Sequence, residues 1–115
     1  MANTLKTLVD YDAKSDSLAL SSPQKYSSRS VELGDIIIDF DAKNAVVGIE
    51  LLNASALLKT LTRQEVSKSM LEQIKSASFV QKTVGSTIVV TFEIHLQTKT
   101  LANAIAVPLH AELAS

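Results

Sequence analysis

Between residues 34 and 55 the chain alternates apolar and polar positions with a period of two. Ile36, Ile38 and Phe40 interleave with Ile37, Asp39 and Asp41, so one strand face is apolar and the other turns polar toward a loop. Asp41-Ala-Lys-Asn44 supplies the turn, because Asp41 can accept backbone N–H groups two residues on and Asn44 tolerates the left-handed conformation. The returning strand covers residues 46–52, with Val47, Ile49 and Leu51 on one face and Gly48 marking a bulge or a close backbone approach. The same design occurs earlier. Asp10-Tyr-Asp-Ala-Lys-Ser15 matches Asp39-Phe-Asp-Ala-Lys-Asn44 with two conservative changes, between a first strand over residues 4–11 and a second over 17–22. Two copies make a repeated hairpin; a stacked-repeat fold needs about three units to bury a core.

After the second hairpin, Asn53 or Ser55 is placed to cap a helix of one or two turns. Thr62-Arg-Gln-Glu65 has the spacing of a capping box, and Val66, Met70, Ile74 and Ala77, widened by Leu71, form an apolar stripe at helical spacing. These predict a helix over residues 62–78. From Phe79 the alternation returns. Val84-Gly-Ser-Thr87 fits a two-residue hairpin loop with Gly85 at positive φ, a register that sets Phe79 opposite Phe92. Ile88, Val90, Phe92, Ile94 and Leu96 line the apolar face of a long strand. A return at residues 98–100 leads into a last strand, in which Ile105, Val107, Leu109, Ala111 and Leu113 share a face and Pro108 dictates an edge or a bulge.

The expected architecture is a single α+β domain over residues 1–115. It comprises a double hairpin, the helix over 62–78 and a β-meander over 79–113, as an antiparallel meander sheet of about six or seven strands with the central helical segment packed on one face. So short a helical layer leaves the opposite sheet face bare. Either the sheet curls into a roll or a second copy covers it, and a homodimer through the strands after Phe79 is the expected form.

Composition narrows the function classes. With 46% hydrophobic residues, no Trp, two Tyr and three Phe, the core must be aliphatic. A net charge of −1 argues against a generic nucleic-acid binder, which needs a basic field to displace counterions. Charge is uneven, −3 over residues 1–52 and +2 over 53–115, a split that can steer a partner. The absence of Cys excludes disulfides, thiolate metal sites and Cys nucleophiles. Lys6 and Asp10 interrupt any apolar run near the N-terminus and no run approaches the ~18 residues of a membrane span, so a cytoplasmic location without membrane contact is expected.

Candidate chemistry is sparse. Asp10, Asp12 and Asp16, or Asp39 and Asp41, could offer oxygens to a hard cation such as Ca²⁺, but neither turn has the spacing, central Gly and terminal Glu of the helix-flanked calcium loop. Turn-forming Asp explains them without a metal. Residues 21–30 are half serine and carry Pro23, so they read as a loop on which Lys25, Tyr26 and Arg29 could present cations and a stacking ring to a ligand or partner. His95 and His110 become neighbours if the last two strands pair, yet two imidazoles lack the further ligands of a zinc site. No Gly-x-Ser-x-Gly elbow and no Gly-rich phosphate loop occurs, and neither a catalytic residue nor a cofactor is expected.

One resemblance adds to this reading. Tyr11-Asp12, Asp16, Leu18-Ala-Leu20, the run from Ile36 to Asp41 and the run from Val46 to Ser55 follow in an order and spacing that resembles the domain-of-unknown-function family 2283 over residues 8–58, with Asn44 where that family usually has Gly. The resemblance implies a fold for that half and no catalytic residue. The leading expectation is a non-enzymatic interaction module that self-associates and binds a protein partner, of which an antitoxin-like subunit masking a small toxin is one form. The alternative is a small-ligand or cation binder that uses the acidic turns and the Ser-rich loop.

Overall fold

In a computed structural model, residues 6–23 and 26–108 are described. β1 (Leu8–Asp12) and β2 (Ser17–Ser21) pair across the first acidic turn, and β3 (Arg29–Leu33) pairs with β4 (Ile36–Phe40) across Gly34-Asp35. β4 continues through the second acidic turn to β5 (Val46–Leu51), and β2 pairs with the far edge of β5. The result is an antiparallel five-stranded sheet in the order β1-β2-β5-β4-β3. β3 is an addition to the strands that the pattern predicts. Its alternation lasts only Val31-Glu-Leu33 at the end of the Ser-rich stretch, and Gly34, at φ 63, makes the two-residue turn.

The chain then forms α1 (Ala54–Thr62), α2 (Lys68–Leu71), β6 (Ser76–Val84), β7 (Thr87–His95) and β8 (Thr100–Pro108). The last three strands build a separate antiparallel sheet in the order β6-β7-β8. The expected single meander of six or seven strands is therefore two sheets. Both edges of β5 are already taken by β2 and β4, so the meander cannot continue from β5, and the later strands pair with one another instead. Within the new sheet the register is as the sequence predicts. Phe79 pairs with Phe92, Gly85 turns at φ 60, and β8 is an edge strand that reaches Pro108. Residues 4 and 5 of the predicted first strand and 109–113 of the predicted last one lie outside the described residues.

The two sheets share one core. Leu18, Leu20, Ile38, Phe40, Ile49 and Leu51 of the first belong to the same buried cluster as Ile88, Val90, Phe92, Ile94, Leu101 and Ile105 of the second. The sheet face that the sequence pattern leaves bare is covered within the chain, by a second layer of sheet.

The helical region differs from expectation in length and position. α1 runs for nine residues because Ala54, Leu57, Leu58 and Leu61 give it an inward stripe, and it ends where Arg63 turns left-handed at φ 56. The predicted capping box fails here. Thr62 is the last residue of α1, and its hydroxyl donates to Leu58 O at 2.7 Å, so it does not start a new helix. The next helix begins at Ser67, whose side chain accepts from Met70 N at 3.2 Å, and it lasts only to Leu71. Ala77 of the predicted helical stripe lies in β6, opposite Ile94.

Gly48 is both a close approach and the neighbour of a bulge. Asp39 pairs with Gly48 but Phe40 pairs with Val46, which leaves Val47 as the extra residue. Val46 therefore joins Ile49 and Leu51 in the shared cluster, and Val47, also buried, stands outside it. A Cβ at Gly48 would stand 2.9 Å from Asp39 Oδ2 and 3.4 Å from Leu20 O, and the Asp39 carboxylate is already held by the Ser30 hydroxyl. Gly48→Val is expected to destabilise the protein by about 2 kcal/mol, read as a lower urea midpoint.

Candidate functional site

Asp16 is the one buried charged residue among the described residues, with 8% of its surface exposed. The Tyr11 hydroxyl donates to its Oδ1 at 2.6 Å, the Ser55 hydroxyl to its Oδ2 at 2.7 Å, and the Ser55 N–H reaches both oxygens at 3.2 Å. Its backbone carbonyl accepts from Ala54 N at 2.8 Å. Asn53 occupies the N-cap position of α1 in a left-handed conformation but makes no side-chain cap bond, so Asp16 caps the helix from a distant turn. Burial acts to raise the Asp16 pKa, but hydrogen bonds from Tyr11 and Ser55 outweigh it and hold the carboxyl below its ordinary range. The Tyr11 phenol moves upward, first through burial and then through the carboxylate it donates to. Two hydroxyls committed as donors to one anion form a lock between the first hairpin and α1.

The other acidic candidates serve their own turns. Asp12 Oδ1 accepts from Lys14 N at 3.0 Å, while Asp41 Oδ1 accepts from Lys43 N at 2.8 Å and from Ala45 N at 2.9 Å, as the turn chemistry predicts. Asn44 is left-handed at φ 66 in the second turn. The first turn closes differently, with Asp16 rather than Ser15 left-handed. Asp39 binds Ser30, and Asp10 is exposed on β1. The structure thus separates Asp16 from Asp10 and Asp12 by task, and among the described residues no three His, Asp or Glu groups gather to hold a metal ion.

In the Ser-rich loop, Lys25 lies outside the described residues and Tyr26 is 88% exposed. Arg29 belongs to β3, where its guanidinium sits 5.3 Å from the Phe40 ring centroid and bonds the Asn44 side chain. Tyr26 and Arg29 are therefore parts of different structures, a loop and a sheet. His95 stands 3.3 Å from Glu93 and 3.1 Å from the Thr100 hydroxyl, whereas His110 lies outside the described residues. Among the described residues, an open hollow of about 350 Å³ is lined by Val9, Tyr11, Leu71, Glu72 and Ile74, and another of about 190 Å³ lies beside Met70 and Leu96.

The two outward sheet faces differ in kind. On the five-stranded sheet, alternate positions place Asp10, Asp12, Glu32, Asp39 and Glu50 outward, a solvated acidic surface. On the three-stranded sheet, fifteen outward positions carry two formal charges, Lys82 and Glu93; the rest are Ser, Thr, Val, Ala, Pro and His95. Val80 is 66% exposed there and Val84 55%. Outward alternation in the last strands is visible in the sequence, but its meaning is not, because a polar-looking row of Thr, Ser and Ala reads as an ordinary solvent face. Sequence reasoning also misses Gln81, whose side chain accepts from Val46 N at 2.6 Å and so reaches the other sheet.

Among the described residues no helix is long and apolar enough to cross a membrane. Residues 8–55 match the family of proteins of unknown function designated DUF2283, a segment that spans β1 to the first turn of α1 and ends on Ser55, the partner of Asp16. An uncharacterised protein of Methanocaldococcus jannaschii is 45% identical over 53 residues, which is 46% of this chain and 46% of that relative. The chain thus aligns with about half the length of the curated relative. No solved structure matches the chain.

Proposed function

We propose that this chain is a non-enzymatic interaction module that self-associates, and meets a protein partner, through its C-terminal sheet. One observation carries the reading: the outward face of β6, β7 and β8 is almost uncharged, whereas the outward face of the larger sheet is acidic. Val80 and Val84 stand exposed on it, and Lys82 between them is the kind of charge that natural sheets place on edge strands against indiscriminate pairing. Three strands about 4.8 Å apart and nine residues long present roughly 450 Å². A face-to-face pair would bury about 900 Å² in total, which belongs to the weak, concentration-dependent class of association. Sedimentation equilibrium should show the mass rising from one chain toward two as concentration increases through the micromolar range. One chain mass at every concentration would remove the reading.

A further inference from the structure

The outward face of the three-stranded sheet is built in rows, each of one residue from β6, one from β7 and one from β8. Val80, Thr91 and Ala104 form its middle row. Lys82 lies one row to the hairpin side, level with Val89, and Glu93 lies one row to the other side, level with Ser78. Given self-association through this face, on which the pairing rests, we propose that two copies pack about a two-fold axis that lies in the face, crosses the strands at right angles and passes through the Val80–Thr91–Ala104 row, which brings Lys82 of each copy to Glu93 of the other.

The charges select this axis. A two-fold operation makes every contact reciprocal, so a surface suits it only if its own opposite charges exchange places. Rotation about the middle row inverts the order of rows, and the row that carries Lys82 comes to lie over the row that carries Glu93. The two side chains are then offset by one strand, about 4.8 Å, which the flexible four-carbon stem of Lys spans. Rotation about an axis along β7 would instead set Glu93 over itself, with Lys82 over the uncharged β8. Like charges face to face oppose that arrangement. Glu93 is also oriented within its own chain by His95, 3.3 Å away, and Lys82 forms no ion pair among the described residues. Along β8 the outward residues Ala102, Ala104 and Ala106 are small, which lets a second sheet approach closely.

Charge reversal tests the pairing. Lys82→Glu and Glu93→Lys, each exposed and each replaced by another charged residue, should weaken the dimer about tenfold or more, while the double variant Lys82→Glu/Glu93→Lys should return to within about threefold of the parent. Sedimentation equilibrium reads the association, and far-UV circular dichroism confirms that each variant keeps its sheets. If the parent dimerises but the double variant is as weak as the single ones, or if the single reversals change nothing, the pairing is wrong and self-association stands. If the parent is one chain at every concentration, both fall together.

Discussion

Phe92→Ala lowers the stability of both sheets together, by about 3–5 kcal/mol. Phe92 is fully buried at the centre of β7, with Phe79 across one ladder and Asn103 across the other. Its ring belongs to the cluster that also holds Phe40, Ile49 and Leu51 of the five-stranded sheet, so truncation removes apolar contact from both layers at once. Domains of this size have a total stability of roughly 5–15 kcal/mol, and the loss is a large part of it. The measurement is hydrogen exchange with a urea melt. β5 amides should lose protection by the same factor as β7 amides, in a single unfolding transition. If β5 protection is unchanged while that of β7 collapses, the two sheets are separate folding units and the shared core does not couple them.

Asp16→Ala has the second largest effect, a loss of about 2–4 kcal/mol. It removes the acceptor of the α1 cap and strands the Tyr11 and Ser55 hydroxyls, and it places Ala at φ 55, where Asp and Asn are better tolerated. Asp16→Asn keeps the left-handed residue and one acceptor oxygen, and is expected to lose about half as much. The acid dependence separates charge from shape. The folded carboxyl has a pKa below its unfolded value, so its charge contributes fully above about pH 4 and the contribution is lost as pH falls through the folded pKa. The gap in urea midpoint between parent and Asp16→Asn should therefore stay constant near neutrality and shrink in acid. A gap that does not change with pH would mean that the carboxylate charge adds nothing.

The sequence carries the local structure of this chain better than its assembly. Alternation and turn chemistry place both acidic hairpins, the Phe79–Phe92 register and the Gly85 turn, because each depends on residues within about twenty positions. The division into two sheets is not legible in that way: it depends on β2 reaching β5 across the 24 residues between them and so occupying the edge of β5 that the next strand of a meander would have used. The helix boundary fails for a related reason. Thr62 can cap the next helix or bond back to Leu58, and the left-handed Arg63 decides between them. Of the candidate residues, Asp12 and Asp41 act as turn chemistry requires, but nothing near Asp16 reveals that its partner is Ser55. The charge sparsity of the C-terminal sheet is written in its residues and gains meaning only beside the acidic face of the other sheet.

Water exclusion is non-directional, and the alignment of two apolar layers rests on how their side chains interdigitate. Gln81 adds a directional constraint to that packing. Its oxygen takes the Val46 N–H just beyond the stretch of β5 that pairs with β2, and its nitrogen reaches Asn44 O at 3.5 Å, so one side chain from β6 docks where the second acidic turn enters β5. A hydrogen bond is directional where water exclusion is not. The contact acts like a dowel between two boards: it sets the phase of one sheet against the other, and with it the angle at which the C-terminal face is presented outward.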